Sequence, residues 1–257
     1  MKILISNDDG IYSKGIQALV KAMTELGEVY VVAPETNQSA IGHAVTMHTP
    51  LRSNKVDRFG TNINAWWVNG TPADCIKLGI ENLMKVKPDL IVTGINIGEN
   101  LGTDVIYSGT VSAAVEGAIF GIPAIAFSYE DYKATDFNIA AKVAKEICTE
   151  VLKHTIPTNH ILNVNIPKCE QISEIKGIRT TKLGVKIYKN NFEERRDPKG
   201  DIYYWLAGEL IDIPEDEYND IYAVKNKYIS ITPINIDLTS HDLINEIKNW
   251  RLNLTIK

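Results

Sequence analysis

The sequence of 257 residues has few cysteines, no long apolar run and no excess of basic residues. Its three cysteines, Cys75, Cys148 and Cys169, lie far apart in no ligand-like spacing, which argues against structural zinc and a disulfide framework. Free thiols are typical of a reducing compartment. No apolar run is long enough to span a bilayer, and the first residues lead into a strand without a signal-peptide pattern. We therefore expect a soluble cytoplasmic protein.

The charge balance limits the partners. The net charge is −5, so no general positive field attracts nucleic acid or an anionic membrane. We expect neither a nucleic acid polymer nor a membrane among the partners, and an anionic ligand needs a local attraction. The length suits one large α/β domain or two small ones, with a sizeable core.

An apolar strand followed by two adjacent carboxylates marks the start of the chain. The β-branched run over 2–6 predicts a buried strand, and Asp8 and Asp9 come shortly after it. Gly10 permits the turn that lets both carboxylates aim at one point. Converging carboxylates repel each other unless a cation lies between them, and hard oxygen ligands suit Mg²⁺, Mn²⁺ or Ca²⁺. The pair predicts a divalent metal site, with helix capping or an Asx turn as the alternative.

Strands and helices alternate through residue 166. Apolar runs predict strands over 2–6, 28–33, 43–49, 65–69, 89–94, 122–128 and 161–166. Helical spacing predicts helices over 13–26, 70–84, 111–120 and 134–152. This order predicts an α/β fold with a parallel-rich, doubly wound sheet.

The character of the sequence changes after residue 166. Short strands are predicted over 178–181, 185–188 and 202–206, and the turn residues at 197–200 indicate a protruding β-hairpin. The charge run at 193–196 is interpreted as the solvated hairpin tip. Because a hairpin alone is marginally stable, its aromatic residues are expected to cover a subunit or core surface. A strand over 228–234 and a helix over 240–250 are predicted to follow.

Polar loops follow several of the predicted strands. Ligands of doubly wound sheets bind beyond the carboxyl ends of the strands. Three loops at these ends carry short oxygen-bearing side chains, which are Asp8 and Asp9, then Asn37 and Ser39, then Asn96. Carboxylate, amide and hydroxyl oxygens together form a ligand set for a hard cation.

A helix start adds a fourth element to these loops. Ser108-Gly109-Thr110 opens a predicted helix, whose free N–H groups and partial positive charge favour a phosphate. Helix capping by either hydroxyl is the alternative, and the acidic loops shift the interpretation toward phosphate. The five histidines show no metal-ligand spacing and are interpreted as structural or surface residues, with His43 nearest the Ser39 loop.

Motifs spread over nearly the whole chain resemble the SurE family, the stationary-phase survival proteins that act as nucleoside 5′-monophosphate phosphatases. The matching segments are Asn-Asp-Asp-Gly at 7–10, Val-Ala-Pro at 32–34, Asn-Gln-Ser-Ala at 37–40, Gly-Thr-Pro-Ala-Asp-Cys at 70–75, Gly-Ile-Asn-Ile-Gly at 94–98, Tyr-Ser-Gly-Thr-Val at 107–111, Asp-Pro at 197–198 and Tyr-Ile-Ser-Ile-Thr-Pro at 228–233.

The resemblance implies one Rossmann-like domain, a three-layer αβα sandwich with a protruding hairpin and a C-terminal extension. Its core would span 1–170, and the hairpin and C-terminal oligomerisation region would span 171–257. The resemblance also implies a homodimer or homotetramer. It implies one divalent cation per subunit, Mg²⁺ or Mn²⁺, bound by Asp8, Asp9, Ser39 and Asn96.

The predicted reaction is metal-dependent hydrolysis of a phosphate monoester, and the resemblance implies that this ester is a nucleoside 5′-monophosphate. Asp8 or Asp9 would accept a proton from water, and the sequence does not choose between them. An aspartyl-phosphate intermediate is disfavoured because both acids are wanted as ligands. The phosphate would contact Asn37, Ser108, Gly109 and Thr110.

Two other classes of function remain as alternatives. A receiver-like phospho-switch also has an acidic pair after its first strand, but we find no acceptor aspartate or late lysine in a fitting place. A nucleotide-binding module without turnover would use Asn37, Ser39 and the helix start equally well. No feature of the sequence indicates a base preference.

Overall fold

The computed structural model describes residues 1–60, 62–189, 192–211 and 216–250. Part of the predicted C-terminal region, residues 212–215 and 251–257, therefore lies outside the described residues, as do residues 190 and 191 of the predicted hairpin. The helices are α1 (Lys14–Met23), α2 (Pro72–Leu78), α3 (Gly109–Ile119), α4 (Asn138–Val151), α5 (Asp220–Lys225) and α6 (His241–Ile247). The strands are β1 (Lys2–Ser6), β2 (Glu28–Pro34), β3 (Ser53–Lys55), β4 (Asn64–Val68), β5 (Leu90–Ile97), β6 (Ala124–Tyr129), β7 (His160–Ile166), β8 (Gly177–Thr180), β9 (Tyr188–Lys189), β10 (Phe192–Arg196), β11 (Ile202–Leu206), β12 (Glu209–Leu210) and β13 (Tyr228–Asn235).

A nine-stranded sheet in the order β3-β4-β2-β1-β5-β6-β7-β13-β8 forms the centre of the molecule. The six strands from β4 to β7 in this order are parallel, which confirms the predicted α/β class. The chain builds outward from β1 to one side and then from β5 to the other. The switch point therefore lies between β1 and β5, where ligands bind at the carboxyl ends of such strands.

Helices cover both faces of this sheet. Ile3 and Ile5 of β1 belong to the core cluster that includes residues of α1 and α4. Leu4, which points the other way, belongs to the cluster formed with α2 and α3. The small residues of α3 allow close packing, since a Cβ at Gly117 would lie 2.5 Å from Cδ1 of Ile91. The result is the three-layer αβα sandwich.

The segment 43–49 is not a strand, contrary to the prediction. Residues 35–52 form an irregular connection, and the outer strand β3 lies further along the chain and pairs antiparallel with β4. The alternation of 43–49 has no buried face, because Val45 and Met47 are both exposed. Its backbone groups bond instead to residues at the start of α2, as in the contact of the Thr46 N–H with Asp74.

The hairpin forms, with arms that differ from the predicted ones. β10 pairs with β11, and β9 pairs with β12 nearer the base. The predicted turn is confirmed by the bond from the Gly200 N–H to the Asp197 carbonyl, 3.0 Å long. The charge run at 193–196 is a hairpin arm and not the tip, because its backbone pairs with β11. Tyr203, Tyr204 and Trp205 are exposed.

The C-terminal third contributes to the main sheet as well as to the hairpin. β13 pairs antiparallel with β7, and β8 pairs parallel with β13. The short helix α5 was not predicted from the sequence. Across the four described ranges, the structure has no helix with the length and apolar character needed to cross a membrane.

Candidate metal and phosphate site

The acidic pair lies in a tight turn at the carboxyl end of β1, at the switch point of the sheet. Gly10 has a φ of +93°, the conformation that the sequence predicted for this turn. The buried amide of Asn7 closes the turn, since its Nδ2 donates to the Gly10 carbonyl at 3.0 Å. The helix that follows is capped by Ser13, and its first turn contains no acidic residue. Helix capping therefore does not explain Asp8 and Asp9.

Asp8 is held by the start of α3. The Thr110 hydroxyl donates to Oδ1 of Asp8 at 2.5 Å. Burial raises the pKa of Asp8, while the Thr110 hydroxyl and the backbone N–H groups of Thr110 and Gly109 act in the opposite direction. The approach is close, because a Cβ at Gly109 would lie 2.7 Å from Cβ of Asp8. The helix start thus already holds one anion, the Asp8 carboxylate.

Asp9 faces the end of β5. Its Oδ2 accepts a hydrogen bond from the Ile97 N–H at 3.1 Å. Burial and the nearby Asp8 charge raise the pKa of Asp9 to about 7, against the lowering effect of the Ile97 N–H. Within the described residues, no Lys, Arg or His forms an ion pair with Asp8 or Asp9. Over the described ranges, the two carboxylates therefore lack a compensating positive charge.

The loop with Asn37 and Ser39 lies against the acidic turn through its backbone. The Gln38 N–H donates to the Asp8 carbonyl at 2.7 Å. The side chains of Asn37 and Ser39 are exposed and bond to each other, with the Ser39 hydroxyl 2.6 Å from Oδ1 of Asn37. The structure thus brings this loop to the acidic turn without direct contact between Ser39 and the carboxylates.

Asn96 lies at the irregular end of β5, where the register with β6 shifts between Thr93 and Asn96. Its Nδ2 donates to the carbonyls of Ile97 at 3.2 Å and Gly98 at 3.0 Å. With the nitrogen held by these carbonyls, Oδ1 is the Asn96 atom suited to bind a cation.

The two hydroxyls of the predicted phosphate segment have partners inside the protein. Ser108 caps α3, its Oγ accepting the Val111 N–H at 3.1 Å, and Thr110 donates to Asp8. The capping alternative is thus observed for Ser108. Thr110 has a role that the sequence did not suggest, because its hydroxyl fixes the Asp8 carboxylate by a hydrogen bond.

The chemistry of these donors fits a hard divalent cation. The two carboxylates have no cationic partner among the described residues, and backbone hydrogen bonds connect their turn to the loops that carry Asn96 and Ser39. Carboxylate, amide and hydroxyl oxygens are ligand types that hard cations prefer. Oδ1 of Asn7, beside the pair, is buried without a hydrogen-bond partner among the described residues. No group of three His, Cys, Asp or Glu side chains suited to a metal occurs in the described ranges. A metal here would rely on two acids and neutral oxygens.

Several residues around the site were missed by sequence reasoning. Asp220, at the start of α5, accepts the Gly102 N–H and the Gly184 N–H, both at 2.8 Å, and so braces the loop after β5. Lys186 lies 3.0 Å from Asp104 and braces the same loop. The N-cap pattern of Asn-Asp at 219–220 could have predicted α5, but no local signal predicts which loop its carboxylate contacts.

The interior of α3 contains a further missed residue, Glu116. Its buried carboxylate contacts His43 at 2.9 Å and Lys77 at 3.2 Å. The sequence had suggested a structural or surface role for His43. No spacing rule connects these three residues.

The fold and the site define an α/β protein with an acidic site at the switch point of a parallel sheet. The chain belongs to the SurE family, because the family model described as "Survival protein SurE" matches residues 3–190.

Similar proteins cover nearly the full length of the chain. A protein of Alkaliphilus metalliredigens named 5′-nucleotidase SurE is 49% identical over 253 residues, covering 98% of this chain and 99% of that protein. One of the same name from Heliobacterium modesticaldum is 46% identical over 250 residues, covering 97% and 92%. The crystal structure of a SurE protein from Aquifex aeolicus has a TM-score of 0.85 and 44% identity, covering 96% of this chain and 98% of that one.

Proposed function

We propose that the protein is a 5′-nucleotidase that hydrolyses nucleoside 5′-monophosphates to nucleoside and phosphate. The observation that carries this proposal is the convergence of Asp8 and Asp9 beside the start of α3, with no cationic partner in the part of the chain that the structure describes. Family membership and the names of the similar proteins support the same reaction.

Asp8, Asp9, Ser39 and Asn96 would hold one divalent cation per subunit, with Mg²⁺ or Mn²⁺ suited to these oxygen donors. When bound, such a cation polarises phosphate oxygens and lowers the pKa of a bound water. Support for this ligand set comes from the backbone contacts that gather the three loops.

The two acids have different surroundings and would have different roles. The start of α3 contacts Asp8 through the Thr110 hydroxyl, so Asp8 would serve as a fixed ligand. Asp9 is less buried and accepts one N–H, from Ile97. Asp9 is therefore the better candidate to accept a proton from the attacking water.

The substrate phosphate would bind between Asn37 and the segment 108–110. Because Oδ1 of Asn37 accepts the Ser39 N–H and hydroxyl, the Asn37 amide nitrogen is oriented away from them and can donate to a phosphate oxygen. Ser108, Gly109 and Thr110 would lie beside the phosphate, where the partial positive charge of the helix start favours an anion. Both hydroxyls and the Ser108 N–H have partners within the protein.

We also propose that the protein acts as a homodimer or homotetramer in the cytoplasm. The exposed aromatic residues of the hairpin, Tyr203, Tyr204 and Trp205, support a subunit contact in the region 171–257. The three free, buried cysteines suit a reducing compartment. The net charge of −5 gives no support for binding a nucleic acid polymer.

Phosphate release from AMP, with and without Mg²⁺ or Mn²⁺, tests the proposal. We expect release that depends on the added cation and disappears with a chelator. Binding of AMP without release under any cation would favour the nucleotide-binding module instead. Recovery of a covalent phosphate on Asp8 or Asp9 would refute the direct attack of water.

A further inference from the structure

The loop over 35–52 has no regular structure, yet it is fixed at several points on both sides of Ser39. On one side, the Gln38 N–H bonds to the Asp8 carbonyl at 2.7 Å. On the other side, the Gly42 N–H bonds to the Tyr107 carbonyl at 2.8 Å. Ser39 therefore lies in a bridge of three residues between the acidic turn and the segment that leads into α3.

One side chain of this loop makes a charged contact directly after the bridge. Nε2 of His43 lies 2.9 Å from Oε2 of Glu116, on α3. The Glu116 side chain is 4% exposed, whereas the His43 side chain is 33% exposed. The hydrogen bond from His43 is the largest cause of the lowered pKa of Glu116. The carboxylate is therefore ionised, and it is the buried group to which His43 attaches the loop.

The second partner of Glu116 does not belong to this loop. Nζ of Lys77, on α2, lies 3.2 Å from Oε1 of Glu116, and the Lys77 side chain is 50% exposed. Each oxygen of the carboxylate thus has its own partner. The chain offers a natural comparison, since one partner connects Glu116 to the Ser39 loop and the other to a neighbouring helix.

We infer that Glu116 is a positioning residue which, through His43, fixes the Ser39 loop relative to the start of α3. The same helix carries Thr110, which holds Asp8. One rigid helix thereby sets the position of a carboxylate at its start and of the Ser39 loop two turns further on. The consequence for metal binding rests on the proposed function, whereas the fixing of the loop does not.

The experiment compares His43→Ala with Lys77→Met in the full chain. Hydrogen exchange of peptides covering 39–46 reports the loop directly, and calorimetric titration with Mn²⁺ reports the cation site without turnover. We expect His43→Ala to speed exchange in these peptides and to weaken Mn²⁺ binding about tenfold, the lower end of the loss that follows when a group supporting a metal site is removed. Lys77→Met should leave both quantities within about twofold of wild type.

Two further measurements separate positioning from general destabilisation. His43→Gln retains a side-chain N–H donor, and we expect it to recover most of the lost Mn²⁺ affinity. At saturating Mn²⁺, kcat for AMP with His43→Ala should return close to the wild-type value. The variant would then differ from wild type only in the Mn²⁺ concentration that it needs.

Unchanged exchange over 39–46 in His43→Ala would overturn the inference, as would an equal loss of Mn²⁺ affinity in Lys77→Met. A failure of the proposed function has a different signature. In that case wild type releases no phosphate from AMP, while the exchange measurement still decides whether His43 fixes the loop.

Discussion

The contact between Thr110 and Asp8 gives the sharpest test of the site. Thr110→Val removes the hydroxyl that lies 2.5 Å from Oδ1 of Asp8 and keeps the side-chain shape. Asp8 is buried, and this hydroxyl is the largest influence that lowers its pKa. A hydrogen bond to a charged group contributes about 1.5–3 kcal/mol. Its loss leaves the carboxylate less stabilised in its charged form, the form that a cation needs.

We expect Thr110→Val to weaken Mn²⁺ binding by about 10- to 100-fold, the ratio that corresponds to about 1.5–3 kcal/mol. The assay is calorimetric titration, followed by phosphate release from AMP at fixed Mn²⁺. Ser112→Ala is the matched control, because it also removes a buried hydroxyl from α3, one that bonds to the Ser108 carbonyl at 2.7 Å. Equal Mn²⁺ affinity in the two variants would refute the role given to Thr110.

Three further predictions concern the site and its helix. Asp9→Asn should lose nearly all phosphate release from AMP while its circular dichroism and melting temperature stay near those of wild type, and retention of most activity would remove Asp9 from the site. Gly109→Ala should lower the free energy of unfolding in urea by about 1–3 kcal/mol, because the new Cβ would lie 2.7 Å from Cβ of Asp8; an unchanged urea midpoint would contradict that contact. Glu116 has a pKa below its usual 4.5, so its ionised form stabilises the protein above that pH and loses this effect as the pH falls through the folded-state pKa. The stability difference between wild type and Glu116→Gln should therefore shrink from pH 7 to pH 3, and a constant difference would contradict the assignment.

The central strands could be predicted because the apolar character of their own residues is enough to indicate burial. β1 and β5 are apolar runs covered on both faces. The segment 43–49 shows the opposite case. It alternates like a half-buried strand, yet its backbone bonds go to residues at the start of α2, which no local pattern reveals.

The candidate site was predictable at the level of loops and not of individual contacts. Parallel strands bring their carboxyl ends to one edge, so the loops of Asp8, Ser39 and Asn96 had to approach one another. The group to which a hydroxyl forms its hydrogen bond depends on distances that the sequence does not contain. Thr110 thus bonds to an acid of the site. For the same reason Glu116, with partners 73 and 39 residues away, gave no signal.

The brace that Asp220 provides has a consequence for any attempt to shorten the protein. A chain cut at residue 170 would keep every proposed ligand and phosphate contact. It would nevertheless lose the carboxylate that receives the Gly102 N–H and the strand β13 that covers the edge of β7. An uncovered strand edge presents unpaired backbone N–H and C=O groups, which can pair with a strand of another molecule. Such a fragment would be expected to aggregate and to hold the Asn96 loop poorly, so the carboxyl end of the sheet depends on residues distant in sequence for its shape.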